Sequence, residues 1–225
     1  MALILNIETA TTNCSVTISE NEKIIRTVEL NEGFSHAENL HPFIQTILND
    51  SKLKISDLNA VSVSCGPGSY TGLRIGVSAA KGICYALNIP LISINTLKII
   101  SKQASEINNT LDALLCPMLD ARRMEIYTAV YDLQLNEIRK TEAIIIDESS
   151  SSQFTFNKPT LFFGSGMPKC KEQFQNIPGA SFINNLVPSS KDMAKISHEL
   201  FEKKQFEDVA YFEPFYLKDF YFKTK

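Results

Sequence analysis

The chain has 225 residues, 44% of them hydrophobic and 21% charged, with a formal net charge of −3. That composition describes a folded chain with room for one sizeable core or two smaller ones, and it excludes a disordered one. The acidic balance also excludes a protein that grips nucleic acid through a uniformly basic face, and leaves only a local patch for that purpose.

The N-terminal "MALILNIETATT" has no basic n-region and enters a strand pattern at once, so no signal peptide is expected. No apolar run reaches the ~20 residues needed to span a bilayer. The five cysteines, Cys14, Cys65, Cys84, Cys116 and Cys170, are odd in number and lack a CxxC spacing. They read as free, mostly buried thiols of a reducing, cytoplasmic compartment.

In chain order, "ALILNIE" (2–8), "NCSVTIS" (13–19) and "KIIRTVEL" (23–30) predict three strands close enough to form an antiparallel meander. "SHAENLHPFIQTILND" (35–50) predicts an amphipathic helix. Ser35 and Glu38 fit a capping box, Leu40, Phe43, Ile44, Ile47 and Leu48 share a face, and Pro42 should kink or reset the helix. "AVSVSC" (60–65) is a fourth strand, running into "GPGSYTGLRIG" (66–76) and a helix that ends near Leu87. A fifth strand at 90–94 and a helix at about 96–106 close the first half.

The order then recurs. Strands are expected at 111–121, 124–132, 138–146 and 160–166, a short helix near 168–175 and a helix at 192–204. Each half is a strand meander followed by alternating strands and helices, and an acid, Glu8 or Asp120, ends each first strand. Two such halves predict an α/β, duplicated RNase H-like fold of the actin, Hsp70 and sugar-kinase ATPases, with subdomains at 1–108 and 109–225.

The glycine stretch fits neither phosphate-binding fingerprint. A P-loop frame from Gly66 puts Tyr70 and Thr71 where Gly and Lys belong, and a GxGxxG frame meets Thr71 at its third glycine. A helix N-terminus after a glycine turn still attracts anions, so Gly66, Gly68, Ser69, Thr71 and Arg74 are candidates for proximity to a nucleotide or other anion. The alternative is a sharp turn with close helix packing.

The helix behind the turn is apolar over an arc of roughly 220° at the ideal 3.6-residue repeat. One sheet covers about 100°. A neighbouring helix or a partner protein must cover the remainder.

If the fold is right, phosphate would be cradled by glycines in the turns after Glu8 and Asp120. Those turns, "ETATTN" and "DARRME", have none. An independent kinase or ATPase is therefore disfavoured.

His36 and His41 are five apart, roughly 140° around a straight helix, and cannot act as an i, i+4 metal pair. No metal is expected. Asp120, Arg122, Arg123 and Glu125 crowd one turn, which is either a contact for a partner or RNA or a solvated hairpin. The tail "YFEPFYLKDFYFKTK", with Lys218, Lys223 and Lys225, interleaves aromatics with lysines in the manner of a base-stacking surface, or packs its rings on the domain.

"ILNIETATTNCSVTI" (4–18), "SHAENLHPFI" (35–44), "GPGSYTGLRIG" (66–76), "PMLDARRMEIY" (117–127) and "EPFYLK" (213–218) together resemble the TsaB (YeaZ) family, over the whole chain and in order. The N-terminal strand is shared with the paralogous TsaD proteins. The resemblance implies a degenerate actin-like ATPase fold. It also implies a non-catalytic scaffold that pairs with a TsaD-like subunit and, with a TsaE-like ATPase, supports transfer of threonylcarbamoyl to the adenosine next to the anticodon of tRNA. In the family TsaD carries the metal on an i, i+4 histidine pair; here His36 is followed four residues on by Leu40.

The family's dimer surface falls on the two helices above. It makes His36, Leu40, Phe43, Ile44, Ile47, Leu73, Val77, Ala80 and Cys84 the expected interface, shared by a TsaD-like partner and a homodimer, with any nucleotide held at the partner interface. A charge at Val77 or Ala80 should then break association, or unfold the chain if those residues face its own core. Met124, Lys218 and His41 depart from the family pattern and bear on partner fit. The rival expectations are a stand-alone actin-like phosphotransferase or glycoprotease-like peptidase, and a homodimeric RNA-binding module, which the acidic balance argues against.

Overall fold

The protein is described by a computed structural model covering residues 1–33 and 35–218; the tail lysines Lys223 and Lys225 lie outside the described residues. The first sheet begins as an antiparallel meander of β1 (Leu3–Glu8), β2 (Cys14–Glu20) and β3 (Lys23–Leu30). In its register Leu5 faces Ile18 and Glu8 faces Ser15. β4 (Ala60–Gly66) adds parallel to β1, and β5 (Leu91–Asn95) adds parallel to β4.

The strand order is β3-β2-β1-β4-β5. The second sheet repeats it with β6 (Leu114–Asp120), β7 (Glu125–Tyr131), β8 (Glu137–Ile145), β9 (Thr160–Phe163) and β10 (Ala180–Ile183), in the order β10-β9-β6-β7-β8. Two mixed sheets of identical topology are the duplicated RNase H-like fold. β10, four residues long, was not expected from the sequence.

Helices α1 (His36–Asp50) and α2 (Tyr70–Leu87) cover one face of the first sheet. Strand alternation sends Leu5, Ile7, Val16, Ile18, Val61 and Val63 into that layer. The start of α1 departs from expectation. Ser35 makes no side-chain cap; the Asn39 amide donates to its hydroxyl at 2.7 Å instead. Pro42 lies exposed within a helix that runs unbroken from His36 to Asp50.

The opposite face carries Asn6, Glu8, Ser15, Thr17, Ser19, Ser62 and Ser64, all fully buried. Buried polar groups require partners. Some come from the far end of the chain, where Ser190 N–H donates to Ser15 Oγ (2.9 Å), Ser190 Oγ meets Thr17 Oγ1 (2.8 Å), and Asn13 Nδ2 donates to the Pro188 carbonyl (3.0 Å).

The two sheets fall on either side of residue 108, and helices bridge them. Helix α3 (Thr96–Ile107) is shared, with Ile99 against the first sheet's core and Leu97, Ile100 and Ala104 against the second's. Helix α4 (Met167–Phe174) packs Met167, Cys170 and Phe174 on the second sheet's core, but helix α5 (Ala194–Glu202) does not stay with that sheet: Ile196 and the preceding Met193 pack on Ala2, Ile4, Ile92 and Ile94 of the first. The chain then runs as a strap. Glu207 N–H donates to the Leu91 carbonyl (2.9 Å), Lys81 Nζ to the Phe212 carbonyl (2.8 Å), and Phe215 N–H to the Cys65 carbonyl (2.7 Å).

A chain ending at Val187 would expose the Ile4–Ile92 layer, leave Ser15 without Ser190, and leave Thr17 with Thr27 alone. It is expected to aggregate or to lose cooperative unfolding in a denaturant titration; a soluble chain that unfolds in one sharp transition would contradict the assignment.

Candidate functional site

The glycine turn holds the protein's own backbone. A Cβ at Gly68, Gly72 or Gly76 would sit closer than 3.0 Å to Ala10 O, Thr9 O and Thr9 Oγ1 respectively. The three glycines therefore let the start of α2 press onto the β1–β2 turn. Hydrogen bonds fasten it there: Ser69 N–H donates to Ala10 O (2.7 Å) and Thr9 Oγ1 to Gly72 O (2.8 Å). Ser69 is the helix N-cap, accepting from Gly72 N–H at 3.2 Å.

Gly66 has φ +116°, and a Cβ there would lie 2.7 Å from the Phe215 carbonyl of the strap. From the other side His36, buried at the start of α1, bonds to Thr11 O at 2.7 Å through Nε2, and burial lowers the pKa of its ring. Of the anion candidates, Gly66, Gly68 and Ser69 thus serve this clamp. Thr71 and Arg74 face solvent. The Arg74 guanidinium stacks 3.9 Å from the Tyr70 ring, and its Nε donates to Tyr216 Oη at 3.1 Å.

The two strand-end acids have unlike fates. Glu8 is fully buried and its carboxyl is pushed up to about 8, chiefly by loss of water. The Ala10 N–H at 2.5 Å and the Ser64 hydroxyl offset this in part, and the Asp192 charge adds to it. Asp192 is itself raised to about 7 by burial. Burial thus favours the protonated form of Glu8.

Asp120 is exposed and held by Lys169, whose Nζ donates to Asp120 Oδ1 (2.6 Å), Arg123 O (2.8 Å) and Glu125 O (2.5 Å). Between them Arg122 and Arg123 stand exposed at φ +68° and +42°. Among the described residues no group of three His, Cys, Asp or Glu side chains converges as a metal site. A cavity of about 410 Å³ opens elsewhere, where the strap residues Phe212 and Phe215 meet Cys65, Asn95, Glu137 and Lys140.

The expected interface residues are mostly not at the surface. His36, Leu40, Ile44, Ile47, Leu73, Val77, Ala80 and Cys84 are buried in the chain's own core, and Phe43 is half-buried. The apolar arc of α2 finds its cover within the chain: sheet, α1, the Thr9–Ala10 turn and the C-terminal strap. A charge at Val77 or Ala80 would enter the core and test folding only. What the two helices turn outward is Ala37, His41 and Gln45 on α1, with Ser78, Gly82 and Tyr85 on α2, and Tyr85 is 85% exposed.

A family model described as "TsaD: tRNA N6-adenosine threonylcarbamoyltransferase" matches residues 33–221. The tRNA threonylcarbamoyladenosine biosynthesis protein TsaB of Escherichia coli is 30% identical over 96% of this chain and 94% of its own. The chain belongs to the TsaB family. Its fold is that of YeaZ from Pseudomonas aeruginosa, at a TM-score of 0.83 over 96% of this chain and 100% of that one, with 23% identity. A similar fold is seen in an activator of 2-hydroxyisocaproyl-CoA dehydratase from Clostridium difficile, solved with bound ADPNP. Its TM-score is 0.53, at 8% identity, over 92% of this chain and 98% of that one.

Two outcomes follow from the clamp and the buried acid. Gly72→Ala forces a methyl onto the Thr9 backbone and should cost about 1–3 kcal/mol or more. Gly82→Ala, with nothing within 4 Å, should stabilise by about 0.4–1 kcal/mol; equal melting temperatures for the two variants would refute the packing. For Glu8 the native state holds the proton more tightly than the unfolded chain, whose ordinary value is 4.5. Its contribution is therefore present at acid pH and is lost as pH rises from about 4.5 to about 8. Glu8→Gln should flatten the fall of unfolding free energy over that window by a few kcal/mol. Parallel profiles for the variant and the parent would show Glu8 to be ionised when folded.

Proposed function

We propose that the chain is the non-catalytic subunit of a complex that forms threonylcarbamoyladenosine next to the anticodon of tRNA, pairing with a TsaD-like catalytic subunit and a TsaE-like ATPase. Membership of the TsaB family, and the function printed in the name of the Escherichia coli relative, support the pathway. One observation carries the subunit's role. Where a phosphate would need glycine backbone to approach, α2 lies against the chain's own Thr9–Ala10 turn. The first strand's acid, Glu8, is fully buried, and burial raises the pKa of its carboxyl. Such a site favours a scaffold over a phosphotransferase, and nothing in it resembles the nucleophile and base of a peptidase.

The partner surface in this reading is the outward face of α1 and α2, centred on Tyr85, Ser78 and His41. Exposed aromatic residues of this kind anchor interfaces. The same face would serve a two-fold homodimer in competition with the TsaD-like subunit. A nucleotide, if one is held, would lie near Thr71 and Arg74 at the edge of that surface.

The purified chain alone is expected to hydrolyse no ATP and no peptide, and to co-purify with a TsaD-like subunit. Tyr85→Glu, checked for an unchanged circular dichroism spectrum, should weaken that association at least about tenfold, the loss typical of an interface anchor. ATP turnover by the chain alone that disappears in Asp120→Ala would overturn the scaffold reading.

A further inference from the structure

The turn between β6 and β7 is unusual in its chemistry. Positive φ favours Gly or Asn, and bulky side chains there cost roughly 1–2 kcal/mol each. Here two consecutive arginines, Arg122 and Arg123, adopt it. Lys169 holds the strained turn from beneath by bonding to Arg123 O, Glu125 O and the Asp120 carboxylate, and Asp120 Oδ1 also accepts the Arg122 N–H at 2.8 Å. Strain maintained in this way marks a position whose side-chain direction matters. Neither guanidinium has an ion-pair partner among the described residues.

The surroundings extend the pattern. Lys218 pairs with Glu125, and Lys169 pairs with Asp120, so both acids of the ridge are already neutralised. Two residues before Lys218, Tyr216 lies 5.0 Å from the Tyr70 ring, centroid to centroid, and bonds to Arg74. A single ridge thus carries three arginines, Arg74, Arg122 and Arg123, free of carboxylate partners among the described residues, together with two tyrosine rings. The chain as a whole is at net charge −3. Fixed cations beside aromatic faces are what an unpaired nucleic-acid strand requires, with phosphates on the arginines and bases on the rings.

We propose that the Arg122–Arg123 turn, with Arg74, Tyr70 and Tyr216, binds the phosphate backbone of an unpaired RNA segment, and that Lys169 is the positioning residue that aims the two arginines. This deepens the function proposed above and rests on it only for which RNA is carried. Met124 and Ile145, 41% and 70% exposed beside the turn, would suit a protein partner instead, and the test separates the two.

The chain in complex with its TsaD-like subunit is titrated against a fluorescein-labelled RNA stem–loop and a labelled oligouridylate, by anisotropy across a salt series. The double variant Arg122→Gln, Arg123→Gln should lose about tenfold or more in affinity. Its slope of log K against log salt should shrink by about 1.4, two contacts at about 0.7 each for single strands. Lys169→Met, with both arginines kept, should also bind more weakly while its circular dichroism is unchanged.

RNA binding by the double variant equal to the parent's, or no RNA binding by the parent complex at low salt, would overturn the proposal. So would a folded double variant that fails to join the complex in the absence of RNA, since the arginines would then serve the protein partner. If the parent itself fails to assemble, the scaffold reading falls, and the same titration on the chain alone still decides the RNA site.

Discussion

The seating of the β1–β2 turn between two helices governs the first half of this molecule. Thr9, Ala10 and Thr11 offer three carbonyls in a row, and each is engaged or closely packed: Thr9 O against Gly72, Ala10 O on Ser69 N–H, and Thr11 O on His36. The arrangement works only if the helix side has no Cβ atoms in the way, which fixes glycine at 68, 72 and 76 at one face of the chain. It also fixes the start of α1 against the start of α2, because His36 touches both the turn and the neighbourhood of Gly72. The relative position of the two helices is thereby set by backbone contacts with little slack.

The second half uses the same device. After β9 the chain reads Gly164-Ser165-Gly166, as after β4 it reads Gly66-Pro67-Gly68. In each the first glycine has positive φ, +97° and +116°. A Cβ at Gly164 or Gly166 would come closer than 3.0 Å to the end of β6, at Met118 and Leu119, as one at Gly68 would come to Ala10 after β1. Gly166 N–H donates to Met118 O at 2.8 Å, where Ser69 N–H donates to Ala10 O. A glycine pair after the fourth strand is thus a packing requirement of the repeated unit, met twice, and a phosphate is not needed to account for it.

This bears on what the sequence could reveal. The strands were legible because their alternation is local, and the duplicated topology because the order of elements repeats. The recurrence of G-x-G after each fourth strand was also on the page and marks the duplication more sharply than any identity between the halves. β10 was hidden because ASFI is short, half-buried and flanked by turn residues. The burial of the expected interface residues was hidden for a different reason. Periodicity shows that an arc is apolar and says nothing of what covers it. Here part of the cover arrives some 130 residues later, where Val209 and Phe212 pack against the core that holds Val77, Ala80 and Cys84.

The polar face of the first sheet misled in the opposite direction. Asn6, Glu8, Ser15 and Thr17 alternate with apolar residues as a solvated face would, yet all are buried. An apolar face of the same shape would stabilise the chain at least as well, since desolvating acids and amides returns little net free energy. What the polar layer adds is direction. Ser190 meets Ser15 and Thr17 in one register only, and Ser189 and Lys191 both reach Glu29 on β3. The returning segment is therefore located along the sheet, and with it the strap that runs to Phe215, Tyr216 and Lys218. That strap joins the first sheet at Cys65 to the second at Glu125. A polar layer that registers residues 188–193 thus also sets where the Arg74 stack stands relative to the Arg122–Arg123 turn, the two parts of the basic ridge that come from different halves of the fold.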